Sequence, residues 1–496
     1  MKLILNPTQL VSKMGSYLFS VLFLLLENIS APAIPVTVAD RPNFVLIIAD
    51  DIGWDDLGCY GHPLVKSPTI DRLAKEGLVF DHFYLTTSSC SPSRASIISG
   101  RYPHNTGAAE LHTPLPEQIV TFVRRLDSAG YYTAQAGKWH LGDGIRKDFD
   151  AIYDKGTEMG DGGEGRWVAT LRERPADQPF FMWFAALDAH RPWGPNPFSG
   201  THNPEEVVPP VYLADTLPTK LDLARYYDEI TRFDHAIGEV EQELKRQGVL
   251  DQTVIIVISD NGRPFPRSKT RMYDSGIKSP MIIKWPGGIQ EAGKRSEALI
   301  SSIDIAPTIL DIAGLEIGDT FQGKSFLPVL ALPESEFRNY VFAEHNWHDH
   351  EALERMVRTK EYTYILNLRP QHSQNGPADS NASVSYEDLK SLRASGKLNA
   401  AQADVFSAPR PHEELYMSTD RDQLHNVAAD PENAEILRVL RLTLSRWMAE
   451  TADSHPENLT PDWYNKETGK ALDIIRIRGD MPGGMDAITI NAKGPF

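Results

Sequence analysis

Four stretches of this chain, residues 43–49, 180–186, 253–259 and 281–285, are nearly continuous apolar runs of strand length. A strand with one wet face alternates apolar and polar residues, so an unbroken run fits only a strand covered on both faces, as in a central parallel strand. The segments between the runs carry helical spacing. Across Lys220–Gln247, Ile230, Phe233, Ile237, Val240 and Leu244 recur at intervals of 3, 4, 3 and 4, and a second helix follows Asp304 with Ile305, Ile309 and Ile312 on one face. Strands alternating with helices predict an α/β domain, a large mixed and mostly parallel sheet with helices on both faces.

Between residues 326 and 336 the composition shifts, with Pro328 and Pro333 flanking a short apolar piece. This sets expected boundaries at 40–332 for the large domain, 333–470 for a smaller one and 471–496 for a tail. Short strand-like pieces at 340–343, 356–359 and 362–366 precede a polar stretch at 370–411. A last helix then starts with Asp430 as cap and Pro431 at its first position, and buries Leu437, Leu440, Leu444 and Trp447. The smaller domain therefore reads as an antiparallel sheet with a helix.

Lys2 and Lys13 precede an apolar run from Gly15 to Leu26, followed by Ser-Ala-Pro-Ala at 30–33. The run is too short to span a bilayer but suits a secretory signal over residues 1–39, cleaved after Ala33 or Ala39. Export to the periplasm or beyond, with no membrane attachment after cleavage, is the expectation; an uncleaved anchor is the competing one. With only Cys59 and Cys90, the exported chain does not depend on a disulfide framework, and Cys59 reads as a small apolar residue at the core. A net charge of −17 argues against nucleic acid or anionic membrane as partner. Any site for an anion must then be built from cations gathered locally.

Residues 90–101 read Cys-Ser-Pro-Ser-Arg-Ala-Ser-Ile-Ile-Ser-Gly-Arg. A helix beginning at Cys90 puts Arg94 one turn on, on the same face, beside N–H groups that attract anions. Two of the apolar runs end in acids, Asp50-Asp51 after the first and Asp260-Asn261-Gly after the third. In open α/β sheets ligands bind beyond the carboxyl ends of the strands. Three carboxylates and an amide oxygen meeting there need a hard cation, Ca²⁺ first and Mg²⁺ second; taken singly, each pair also reads as caps and turns. Cations occur at Gly137-Lys138-Trp139-His140, where an extended segment would put Lys138 and His140 on one face, and at Lys269, nine residues after Asp260. His190 follows an apolar strand.

Cys-x-Pro-x-Arg with its small-residue helix and Gly-Arg, Pro42-Asn-x6-Asp-Asp-x-Gly, Gly-Lys-x-His, His-x-Pro and Asp-Asn-Gly together resemble the type I sulfatases of the alkaline phosphatase superfamily. The likeness runs from about Arg41 to Trp447, and Ser89–Arg94 with Asp260–Pro266 is most similar to the N-sulfoglucosamine sulfohydrolase branch. The resemblance implies that Cys90 is oxidised to formylglycine by a formylglycine-generating enzyme, and that its hydrate attacks the sulfur of a sulfate ester or sulfamate. It implies a Ca²⁺ ion on Asp50, Asp51, Asp260, Asn261 and an oxygen of residue 90. Arg94 would hold the nucleophile; Lys138, His190 and Lys269 would bind the sulfuryl group, with His190 as general acid and Lys269 second; His140 would assist the second step.

The expected substrate is a sulfated saccharide, N-sulfated or O-sulfated, taken from its end: a small cationic pocket in an acidic protein suits a terminal sulfate. In His345-Asn-Trp347-His348-Asp-His350, the reading is a sugar subsite of His345, Trp347 and His348, or else a polar loop. Two rivals share these residues: a phosphonate or phosphodiester hydrolase of the same superfamily, whose transition metal would call for histidine ligands, and a non-catalytic exported glycan-binding protein.

Overall fold

The run at Asn43–Ala49 forms strand β1, and its side chains divide between two cores. Phe44, Leu46 and Ile48 enter one apolar layer, whereas Val45, Ile47 and Ala49 enter another on the opposite face. Alternation of side chains across a pleat, with both faces covered, is why the run has no polar break. Our computed structural model describes residues 41–372, 376–466 and 468–496, which fall within a compact unit, Arg41–Phe496. The expected signal segment lies outside the described residues. Among them no helix is long and apolar enough to cross a membrane.

With β2 (Leu78–Tyr84), β3 (Tyr132–Gly137), β4 (Ala151–Tyr153), β5 (Phe180–Ala185), β6 (Thr253–Ser259), β7 (Met281–Lys284) and β8 (Lys294–Ser301), β1 builds an eight-stranded sheet ordered β4-β3-β5-β1-β6-β7-β2-β8. The pairs β1–β5, β1–β6, β3–β5, β3–β4 and β2–β8 are parallel. The fourth apolar run departs from expectation: β7 is buried but antiparallel to both β6 and β2. An unbroken run reports cover on both faces, not chain direction. The long helix, Leu217–Arg246, lays Ile230, Phe233, Ile237, Val240 and Leu244 on one face of the sheet, and helix Ile305–Ile312 packs on the other. Cys59 is partly buried against the first of these layers, as expected.

A second sheet, ordered β12-β11-β10-β9, contains β9 (Val341–Trp347), β10 (Glu351–Arg358), β11 (Tyr362–Asn367) and β12 (Glu413–Met417), all antiparallel. One face receives Leu437, Leu440, Leu444 and Trp447 of helix Ala434–Glu450, with the Trp447 ring stacked on Phe342 at 5.0 Å. The other, through Val341, Ala343, Met356, Ile365 and Tyr416, packs on Tyr84, Met272, Ile277 and Leu299 of the large-sheet region. Within the polar stretch at 370–411, to which the sequence reading assigned no element, stand three helices, Ala378–Asn381, Val384–Ala394 and Ala400–Asp404. Their apolar signal is faint because the longest buries only Ser385 and Leu389.

Residues 471–496 are tied to the turn after the Cys90 helix. The buried Arg101 guanidinium donates to the carbonyls of Asn105 (3.0 Å), Ile488 (2.9 Å) and Ile490 (2.7 Å) and to Asn491 Oδ1 (2.8 Å). Gln322 Nε2 donates to the Ala492 carbonyl at 2.9 Å. One buried side chain thus ties residues 488–491 to the turn at Asn105. Arg101→Ala is expected to lower the unfolding free energy by about 3 kcal/mol, since several hydrogen bonds from one charged group are lost together. Denaturant unfolding measures the loss, and limited proteolysis should cut first within 471–496.

Candidate active site

Because β1 and β6 are adjacent, parallel and in register, with Ala49 opposite Ser259, the residues that follow them emerge side by side. Asp50, Asp51 and Asp260 come together with Cys90, all buried, their ligand atoms within 4.8 Å of one another. Asp51 stands in the left-handed region at φ 66, and its N–H donates to Asp260 Oδ1 at 3.3 Å. Asn261 Nδ2 donates to Asp51 Oδ1. Asp50 Oδ1 and Asn261 Oδ1 are buried without a hydrogen-bond partner. Two orphaned oxygens beside three carboxylates form a donor set that fits a hard divalent cation, with no histidine among the oxygen donors.

Cys90 opens helix Cys90–Ser99, which Ser89 precedes in an extended conformation and Gly100 closes at φ 61. The helix is buried along its whole length, and Cys90 is 2% exposed, its Sγ 4.0 Å from Asp51 Oδ1. Burial pushes the Cys90 thiol up, against Lys138 and Lys269. An unmodified thiol here is a weak nucleophile. One turn on, as the spacing required, Arg94 donates from Nε to Asp260 Oδ2 at 2.7 Å and lies 3.8 Å from Asp50. Its Nη2 has no hydrogen-bond partner.

Two lysines complete the charge balance. Lys138 Nζ donates to Asp50 Oδ2 at 2.5 Å, and Lys269 Nζ to Asp51 Oδ2 at 2.7 Å. Lys138 is aimed by the end of β3, where Gly137 at φ 100 runs so close to β5 that a Cβ would lie 1.9 Å from the Ala185 carbonyl. Burial pushes Asp50 up, yet Lys138, His190, Arg94 and Lys269 together hold it below the usual carboxylate range. Burial also pushes Asp260 up to about 6 despite Arg94, with Asp50 and Asp51 adding to the rise.

His190, in the loop after β5, brings Nε2 to 3.9 Å from Asp51 Oδ2, and its Nδ1 bonds the Arg191 carbonyl. His140 departs from the extended geometry expected of it. At φ 57 it turns its Nε2 to His112 Nδ1 at 2.7 Å, while Nδ1 is left without a partner. Burial, then Lys138 and His112, hold the His140 ring well below the usual histidine range.

The subsite expected at His345, Trp347 and His348 is corrected by the structure. Trp347 is 1% exposed, donates its indole N–H to the Pro461 carbonyl at 2.9 Å and meets Trp463 edge-on at 4.5 Å. With Arg478 4.6 Å from the ring, no face is open to a sugar. His345 is buried against Glu354, and His348 Nδ1 bonds Ser89 Oγ at 2.8 Å. The cluster packs beneath the start of the Cys90 helix: Trp347 shares an apolar contact group with Cys90 and Leu111.

Sequence reasoning missed Asp379. Its Oδ2 lies 3.3 Å from both Lys269 Nζ and His190 Nε2. Burial pushes its carboxyl up, but Lys269 and His190 hold it below the usual range. No local pattern in Ala-Asp-Ser-Asn marks it, because its neighbours here come from residues 190 and 269.

The sulfatase family model matches residues 42–160 and 166–315, and a model described as N-sulphoglucosamine sulphohydrolase, C-terminal, matches 267–374. An ulvan-active sulfatase of Formosa agariphila is 30% identical over 85% of this chain and 77% of its own length. The human N-sulphoglucosamine sulphohydrolase is 29% identical over 86% and 93%. Among solved structures, one described as a complex with its substrate D-glucosamine-2-N,6-O-disulfate has a TM-score of 0.63 at 22% identity, covering 82% of this chain and 98% of that one. The low identity makes that likeness one of fold. The family match spans more than half of the sequence and takes in both acid pairs, the Cys90 helix and the lysines that meet them, so the chain belongs to the sulfatase family, hydrolases of sulfuric esters.

Proposed function

We propose that this enzyme removes a terminal sulfate from a saccharide, using formylglycine made from Cys90 and a bound Ca²⁺. The convergence of Asp50, Asp51, Asp260 and Asn261 with Arg94, Lys138, Lys269 and His190 around residue 90 carries the reading. Formylglycine would supply an oxygen nucleophile for sulfur, and Ca²⁺ held by Asp50, Asp51, Asp260 and Asn261 would draw charge from a sulfuryl oxygen. The residues of the chain do the rest. Arg94 fixes Asp260 and keeps Nη2 for the oxygen at position 90. Lys138 and Lys269 offer ammonium donors to the sulfuryl oxygens, where buried charge stabilises the transition state most.

His190, its side chain 32% exposed, would give a proton to the leaving oxygen or nitrogen. His140, fixed through Nε2 by His112, would move a proton in the second step. The match to the C-terminal N-sulphoglucosamine sulphohydrolase model and the human relative support an N-sulfated glucosamine; the Formosa relative supports an O-sulfated polysaccharide. The expected signal segment supports export. Oxygen-only donors at the cation site favour sulfate over a transition-metal phosphonate hydrolase.

Full-length protein co-expressed with a formylglycine-generating enzyme should release sulfate from N-sulfated or O-sulfated saccharides but not cleave aryl phosphodiesters. Cys90→Ala should lower turnover by roughly 10⁴-fold or more, the scale of nucleophile loss. Retention of normal turnover by this variant would remove the nucleophile assignment.

Cation binding has its own readout. At about 100 times its Kd, Ca²⁺ should add about 2.7 kcal/mol to the unfolding free energy, and chelation should remove it. Asp50→Asn should abolish most of that response; an equal response in the variant would refute the ligand set.

A further inference from the structure

Asp379 lies beyond both family matches, which end at residues 315 and 374, yet it reaches the residues that face the sulfuryl group. Its side chain is 22% exposed, so it borders solvent as well as Lys269 and His190. Its Oδ1 accepts the Ser380 N–H at 2.6 Å, while Oδ2 is shared between the Lys269 ammonium and the His190 ring, each at 3.3 Å.

The placement is built from several sides. The N–H of Ala378 donates to Asp349 Oδ2 at 2.8 Å, and Asn381 Nδ2 donates to the Gly376 carbonyl at 3.0 Å. The following helix, Val384–Ala394, is fixed through Ser385 Oγ, which donates to Asp222 Oδ2 at 2.6 Å. The same Asp222 carboxylate accepts two bonds from Arg191 (2.8 and 2.7 Å) and one from Trp193 Nε1 (2.7 Å), one and three residues after His190. One carboxylate therefore anchors both the helix beside Asp379 and the loop of His190.

An ionised carboxylate only accepts hydrogen bonds. Lys269 spends donors on Asp51 and Asp379, so a sulfuryl oxygen can take a remaining one while the substrate atoms next to it meet Asp379. A hydroxyl or N–H at that flank would be matched. A second sulfate there would face a like charge at short range, which costs affinity steeply in a partly desolvated site.

Resting on the sulfatase reading above, we propose that Asp379 is a specificity-determining residue. It accepts a hydrogen bond from a donor flanking the scissile sulfuryl group, either a sugar hydroxyl or a sulfamate N–H, and rejects saccharides bearing a second sulfate at that flank.

The test is calorimetric binding to the full chain carrying Cys90→Ser, with Ca²⁺, using glucosamine N-sulfate, glucosamine 6-O-sulfate and glucosamine N,3-O-disulfate. The disulfate should bind at least about tenfold more weakly than the better monosulfate, and Asp379→Asn should close that gap. The variant should weaken the monosulfate by roughly tenfold, the scale of a hydrogen bond to a charged group, and strengthen the disulfate. Weakening confined to the N-sulfate identifies the sulfamate N–H as the donor; weakening of both monosulfates identifies a hydroxyl. Asp379→Glu should keep the discrimination, and thermal unfolding of each variant checks its fold. Equal change in all three affinities in Asp379→Asn, or no gap in the parent, would overturn the proposal. Failure of the sulfatase reading looks different: the matured wild-type chain would release sulfate from no N-sulfated or O-sulfated saccharide.

Discussion

Crowding of negative charge at one edge of the large sheet is the constraint on which the rest of the site depends. The register between β1 and β6 forces Asp50, Asp51, Asp260 and Asn261 into one buried volume. In a low-dielectric interior such a set cannot persist alone, because each carboxylate raises the cost of ionising the next. Three cations answer it, each from a different part of the chain: Arg94 from the helix after β2, Lys138 from the end of β3 and Lys269 from the loop after β6. The groups that would handle an anionic substrate are thus the same ones that hold the acids in place. This also resolves the contradiction between a net charge of −17 and an anion site.

Around this centre the chain uses segments distant in sequence as a frame. The second sheet packs through Trp347 and His348 beneath the start of the Cys90 helix, and residues 471–496 lock the turn that ends with Arg101. The helices within 378–404 close a further side and carry Asp379 to Lys269 and His190. A helix buried along its whole length needs such cover on every side.

Much of the chemistry was legible in the sequence because it sits at element ends. An acid pair after an apolar run is an acid pair at the edge of a sheet, and Cys90 to Arg94 is one helical turn whatever surrounds it. The His345–His350 stretch was misread for the opposite reason. His and Trp next to one another suggest an open, sugar-binding surface, but pairing within β9 and β10 and the approach of Trp463 bury them. Asp379 carried no local signal at all.

The sequence by itself determined which runs are covered on both faces, the turn-by-turn geometry of the Cys90 helix and the identity of the charged groups, since these follow from side-chain periodicity and residue chemistry. The tertiary structure alone decided the antiparallel direction of β7, the burial of Trp347, the turning of His140 toward His112 and the meeting of Asp379 with His190 and Lys269. Each of these is a relation between residues far apart along the chain. Such relations are set by how layers pack and loops close, and no local pattern of apolar and polar residues encodes them.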